Sequence, residues 1–446
     1  MPETPLSLRT IFNYAAPFVP AYFLYMLVSI GYMFFATDVL LIAPGIIGTI
    51  FFLSKIWDAV SDPLVGYWSD QTKSRFGRRR SWMIFSAIPL SLAAVMMWSP
   101  PAALPKPALI LWVGFSLFAF YTLFTAYAVP QLALGAELNS NPQERARLFG
   151  GRQIGLSFGM LFAFALGAPL IVGHEEARTN VVFLSVAGGL AFSVIALLCA
   201  RGLPKEPVRQ NVRKAKNPFS AVRDVAANPH ARLLLFVYFI EVFGIGGTSV
   251  MTPYVLEYVT DAASAIAFVF IAFTLATTLS IPFWVAMSRR FERHRLWLIA
   301  MGFQAIGYGS IAFQGEGRLT LLIVGCAING FGSGCGQTLG YAIKADIIDY
   351  DELQTGERKE GTYFATWNLA SKLGTGLMLA IGGWSLQWAG YVNGVPQTEF
   401  VKNTILFVAG GVPFICMVIG MIAFSRFSLN SKEHARIRAE LDRRAA

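Results

Sequence analysis

The chain has 446 residues, of which 55% are hydrophobic and only 14% charged, with 37 phenylalanines and a formal net charge of +10. Soluble globular chains carry about 25% charged residues, so a water-soluble fold is excluded. Apolar runs long enough to cross a bilayer recur along the whole length, and they are too long and too little alternating for barrel strands.

In chain order the runs predict twelve transmembrane helices at 8–36, 44–69, 81–100, 107–137, 144–173, 179–200, 229–259, 262–287, 295–314, 318–348, 360–389 and 400–426. The fold class is therefore an all-α membrane protein with twelve transmembrane helices in two six-helix bundles. The first run is too long for a cleavable signal and lacks a basic leader. Most of the 36 Lys and Arg fall in the loops 70–80, 138–147, 201–232, 288–295 and 344–360 and in the tail. That asymmetry places both termini in the cytoplasm. The basic residues are thus topology signals, with contact to anionic membrane lipid secondary and no nucleic acid partner. Cys199, Cys326, Cys335 and Cys416 lie in predicted helices, form no CxxC pair, and read as small buried residues.

The longest polar gap, Arg201 to His230, divides the chain. The expected domains are a first six-helix bundle at 1–200, a cytoplasmic linker at 201–228, a second bundle at 229–426 and a cytoplasmic tail at 427–446. An internal repeat supports the division. "RFGRRRSW" (75–82) recurs as "RFERHRLW" (290–297), each copy following the second helix of its half. A looser echo pairs "AELNSNPQER" (136–145) with "ADIIDYDELQTGER" (345–358), each after a fourth helix. A parallel repeat of six-helix units is the organisation of major facilitator transporters.

The second run carries charges near its middle. "SKIWDAVSDP" (54–63) holds Lys55, Asp58 and Asp62, and an isolated charge at the bilayer centre costs about 2.5–3.5 kcal/mol. Asp58 and Asp62 are spaced i,i+4, and Lys55 precedes Asp58 by three residues, so the three share a face. Pro63 frees a carbonyl one turn earlier. Two carboxylates on adjacent turns suit a hard cation such as sodium, or a shared proton, or else a static ion-pair network. Further polar residues interrupt other helices. Lys372 has no local acid and requires a partner from another helix. Arg152 suits bidentate contact with a carboxylate, phosphate or sugar hydroxyls, or a gate ion pair. Glu241 is a gate or a substrate contact. Asp346, Asp349 and Asp351 are expected to pair with the basic loops. No GxxxxGK[ST], HExxH or GxSxG occurs, and His174, His230, His294 and His434 fall in loops or the tail. An enzyme is not expected, nor any cofactor.

"SKIWDAVSDPLVGYWSDQTKSRFGRRRSW" resembles the helix-two signature of the glycoside–pentoside–hexuronide:cation symporters, the melibiose-permease type of major facilitator. "AVPQLALGAELNSNPQERARL" and "ADIIDYDELQTGERKEGTYFATWNLASKLGTGL" resemble later signatures of that family, in the same order. The resemblance implies alternating access and sodium- or proton-driven uptake of a small glycoside, uronide or related solute. It implies a cation site at Asp58 and Asp62, with Ser61 where melibiose carriers have Asn, and with Thr125. It implies coupling through Lys372, with Lys55 as a local charge balancer, and a substrate contact at Arg152. The sugar side departs from melibiose carriers. Tyr22 and Ala128 stand where they have acids, Leu132 where they have an aromatic, and Gln337 near their helix-ten tryptophan. Loss of two carboxylates favours an anionic or less hydroxylated substrate. Tyr22, Ala128, Gln337 and Glu241 join Arg152 as candidate substrate residues, and Tyr25, Tyr121 and Tyr127 remain for stacking. The expected partners are a small-molecule substrate, a coupling cation and lipid, for a monomer in the bacterial inner membrane. A cation-dependent lysolipid transporter and a non-transporting receptor or scaffold are the alternatives.

Overall fold

A computed structural model describes residues 5–139, 141–172, 176–204, 225–357 and 359–445. Helix makes up 84% of it, and no strand occurs among the described residues. The segments in chain order are α1 (Leu8–Val39), α2 (Pro44–Gln71), α3 (Arg78–Trp98), α4 (Lys106–Glu137), α5 (Gln143–Ile171), α6 (Ala177–Gly202), α7 (Pro229–Val259), α8 (Ala263–Met287), α9 (Arg293–Ile311), α10 (Leu319–Thr355), α11 (Glu360–Ala389), α12 (Glu399–Phe424) and α13 (Ser431–Ala445). Nine of these are long and apolar enough to cross a membrane by length and composition. The other long ones, α2, α9 and α11, fall below that apolarity, and two of them carry the mid-helix charges Lys55, Asp58, Asp62 and Lys372.

The ends agree with the apolar runs to within a turn, except that α10 continues past residue 348 to Thr355. The reason is that its last turns are polar but bonded: Arg293 meets Asp346 at 2.9 Å, His434 meets Asp349 at 3.0 Å and Lys359 meets Asp351 at 3.6 Å. Lys344, counted above with a basic loop, is therefore inside a helix and only 6% exposed. His230 and His294 likewise sit in the first turns of α7 and α9 rather than in loops. His174 and most of the 201–228 segment lie outside the described residues.

The chain divides into two compact units, Met1–Ala215 and Lys216–Ala446. In the first, α5 lies against α1 along Gly151, Gly155 and Gly159. A Cβ at Gly155 would stand 2.7 Å from the Ala15 carbonyl oxygen, and one at Gly159 2.4 Å from that of Val19. Small residues at this spacing let helix backbones touch where hydrophobic burial cannot drive them together. Trp57 of α2 braces α4 by donating its indole N–H to Thr122 at 2.8 Å. In the second unit, α10 is held between α8 and α9. A Cβ at Gly334 would stand 2.7 Å from the Thr277 carbonyl oxygen, and one at Gly332 2.5 Å from that of Ala300. Asn228 caps α7 by accepting from His230 and Ala231 at 3.0 and 3.2 Å, and donates to the Tyr363 hydroxyl of α11 at 2.9 Å.

The repeat has a structural meaning. Arg78 pairs with Glu137 at 2.8 Å, and Arg293 pairs with Asp346 at 2.9 Å. In each unit, then, an arginine from the first echo meets the acid of the second. The first helix of each unit also ends alike. Phe35–Val39 and Val255–Val259 are π turns, followed by the positive-φ residues Leu41 (57°) and Asp261 (48°).

Candidate functional site

In the first unit, α2 runs unbroken through Pro63 and presents Lys55, Asp58 and Ser61 buried and Asp62 half-buried. Its other side exposes Val60 (48%). Thr125 comes from α4. Its hydroxyl lies 2.9 Å from Asp58 Oδ1 and 3.1 Å from Asp62 Oδ1. A threonine hydroxyl has one proton to donate, so it satisfies one carboxylate at a time. Both carboxylates thus face the same hydroxyl oxygen. Ser61 donates to the Asp58 carbonyl at 3.1 Å, so its proton is engaged along its own helix.

Lys55 is arranged differently from its sequence spacing. Its ammonium donates to the Tyr25 hydroxyl at 3.1 Å and lies 3.9 Å from the Tyr121 ring centroid. It is held by a phenol and an aromatic face, not by the carboxylate three residues on. Tyr22 stacks on Tyr25 with ring centroids 5.7 Å apart. The structure thus brings Tyr22, Tyr25, Lys55 and Tyr121 together, with Asp58 one turn beyond Lys55. Ala128 sits half-buried on α4, one turn past Thr125.

Arg152 of α5 follows another path. Its guanidinium donates to Gln131 Oε1 at 3.1 Å and lies 4.1 Å from the Phe18 ring. Gln131 in turn donates to the Tyr14 carbonyl at 2.9 Å, and the Tyr14 hydroxyl donates back to the Gln131 carbonyl at 3.1 Å. Arg152 is held by this α1–α4 latch; Gln131 and Phe18 are partners that spacing along one helix does not reveal.

In the second unit, Lys372 is half-buried in mid-α11, and Gln337 is exposed at a break in α10. Glu241 of α7 is 8% exposed and interacts with Gln304 of α9. Lys344 of α10 lies 4.0 Å from the Tyr238 ring centroid and 5.1 Å from those of Tyr341 and Trp367. Lys344, Gln304 and Trp367 are neighbours in this cluster that the sequence reading missed. The signal for Lys344 is its flanks, since Ala342, Ile343, Ala345, Ile347 and Ile348 are too apolar for a loop. Among the described residues no group of three His, Cys, Asp or Glu assembles.

The isoprimeverose transporter of Lactiplantibacillus pentosus is 26% identical, over 95% of this chain and 88% of that one. The glucuronide carrier protein homolog of Escherichia coli (strain K12) is 23% identical, over 98% and 96%. A crystal structure of a D-xylose-proton symporter matches with a TM-score of 0.69 at 13% identity, covering 96% of this chain and 99% of that one, which shows a shared fold. A family model described as MFS/sugar transport protein matches residues 13–431. With its helical architecture, its repeated ion pairs and this match over nearly its whole length, the chain belongs to the MFS/sugar transport protein family, a family of multi-pass membrane transporters.

Proposed function

We propose that the chain is a cation-coupled symporter of a glycoside, uronide or related small solute, working by alternating access. The observation that carries this is the single Thr125 hydroxyl within hydrogen-bonding distance of both Asp58 and Asp62. Asp58, Asp62 and Thr125 are the residues that would hold the coupling ion, and their hard oxygens fit sodium or a proton. A bound cation supplies the positive charge that lets both carboxylates stay ionised side by side. Tyr25 and Tyr121 hold Lys55 one turn away, which keeps its charge near the pair without consuming a carboxylate. Lys372 is the proposed coupling residue. Tyr22, Ala128, Arg152, Gln337 and Glu241 are the proposed substrate residues, with Arg152 also bracing α1 to α4.

Coupling requires the ion to change substrate affinity, and reciprocity requires substrate to tighten ion binding by the same factor. The names of the relatives support solutes of the sugar and glucuronide class. The two units are proposed to serve as the two bundles, with both termini cytoplasmic in a bacterial inner membrane, and the protein to function as a monomer with lipid around it. The test is ion-gradient-driven uptake of a labelled glycoside in vesicles, with sodium and proton gradients imposed separately. Uptake that follows neither gradient would sink the proposal.

A further inference from the structure

The second unit holds a cluster that the ion site does not use. Glu241 and Lys344 are 8% and 6% exposed and lie in electrostatic range of each other. A buried acid and base usually join in a direct, hydrogen-bonded pair, because each is costly alone. Here the carboxylate stands beside Gln304 and the ammonium faces three aromatic rings. Among the described residues the ammonium's N–H donors are therefore spent only on rings. Around them, Trp297 Nε1, Gln304 Oε1 and Trp367 Nε1 are buried with no hydrogen-bond partner among the described residues, and these residues are 2%, 1% and 1% exposed. Unpaired buried donors and acceptors are expensive and are normally avoided.

The repeat shows that the fold does not impose this. Trp82, the counterpart of Trp297 in "RFGRRRSW", donates its indole N–H to Thr72 at 2.8 Å. The backbone alongside is also irregular. α10 stops at Gly336 and resumes at Leu339, with Gln337 and Thr338 between. A Cβ added at Gly336 would stand 3.7 Å from Glu241 Oε1 and 3.8 Å from Trp297 Nε1. Interrupted helices within a membrane are found where they line a binding site.

We propose that Lys344, Glu241, Gln304 and Trp297 form a substrate subsite for the anionic end of a hydroxylated carboxylate. Lys344 and the Trp297 indole N–H donate to the carboxylate. Glu241 and Gln304 Oε1 accept from ring hydroxyls, and the faces of Tyr238 and Trp367 meet the C–H side of the ring. This subsite rests on the transport reading and names the residues that decide between charged and neutral solutes.

The test is calorimetric titration of the purified full-length protein with phenyl β-D-glucuronide and phenyl β-D-glucoside, which differ in a carboxylate against a hydroxymethyl. The wild type is expected to prefer the glucuronide by about tenfold or more. Lys344→Gln abolishes that preference, and Lys344→Arg restores part of it. Trp297→Phe, which removes one N–H and keeps the bulk, lowers glucuronide affinity alone. A wild type without the preference, a Lys344→Gln protein that retains it, or a Trp297→Phe protein with undiminished glucuronide affinity overturns the subsite. Counterflow of the glucoside in vesicles separates the two failures. Counterflow that persists without carboxylate preference leaves the transporter standing and removes the subsite. No wild-type counterflow of either compound removes both.

Discussion

The two units bury lysines in different ways. In the first, Lys55 has an oxygen partner, the Tyr25 phenol at 3.1 Å, and the nearby carboxylates share Thr125. In the second, Lys344 has aromatic faces alone among the described residues, while Glu241 stands beside the neutral amide of Gln304. The difference teaches how, under the proposed function, one repeated scaffold divides its work. Where polar groups are mutually engaged around a pair of acids, the arrangement suits a small ion. Where donors and acceptors are left unspent, it suits a larger polar ligand.

The largest expected effect separates these roles. Asp58→Asn or Asp62→Asn is expected to abolish uphill accumulation in energised vesicles. Glu241→Gln is expected to raise the substrate concentration needed for half-maximal uptake while uptake still follows the ion gradient. If Glu241→Gln removes gradient dependence and the Asp58 and Asp62 variants keep it, the division is reversed.

Packing gives the next effect. Gly159→Leu drives a side chain into the Val19 carbonyl, 2.4 Å from the Cβ position, whereas Gly114 has nothing within 4 Å. We expect Gly159→Leu to cost about 3 kcal/mol or more and to lower the yield of monodisperse protein, with Gly114→Leu near wild type in thermal denaturation. Equal behaviour of the two would remove the close α1–α5 contact.

The repeated ion pairs come third. Arg78 and Glu137 have side chains 18% and 10% exposed, against 41% and 17% for Arg293 and Asp346. Double-mutant cycles by thermal denaturation should give about 1.5–3 kcal/mol of coupling for the first pair and less than about 1 kcal/mol for the second. A comparably small effect is that of Tyr25→Phe, which removes the phenol from Lys55 but keeps the ring. It should cost about 0.5–1.5 kcal/mol, read as a modest fall in melting temperature. No change would mean that the aromatic faces alone hold Lys55.

Much of the architecture was legible along the chain. A bilayer requires long apolar helices, so the runs located α1 to α12 nearly to the turn. The two echoes proved to be opposite ends of one ion pair in each unit, Arg78 with Glu137 and Arg293 with Asp346. The one large error of boundary was at α10. Asp346, Asp349 and Asp351 look like a loop until their basic partners Arg293, His434 and Lys359 are in place.

The sequence by itself determined the helical membrane fold, the repeat and the i,i+4 spacing of Asp58 and Asp62, because each depends on periodicity within one helix or on the polarity of the solvent. Only the tertiary structure decided who holds whom. Lys55 takes tyrosines 30 and 66 residues away in preference to Asp58 three residues on, Arg152 takes Gln131, and Lys344 lies among rings from α7, α10 and α11. Such choices are made across helix interfaces, where a shift of one helical turn exchanges one partner for another and no local pattern records the outcome.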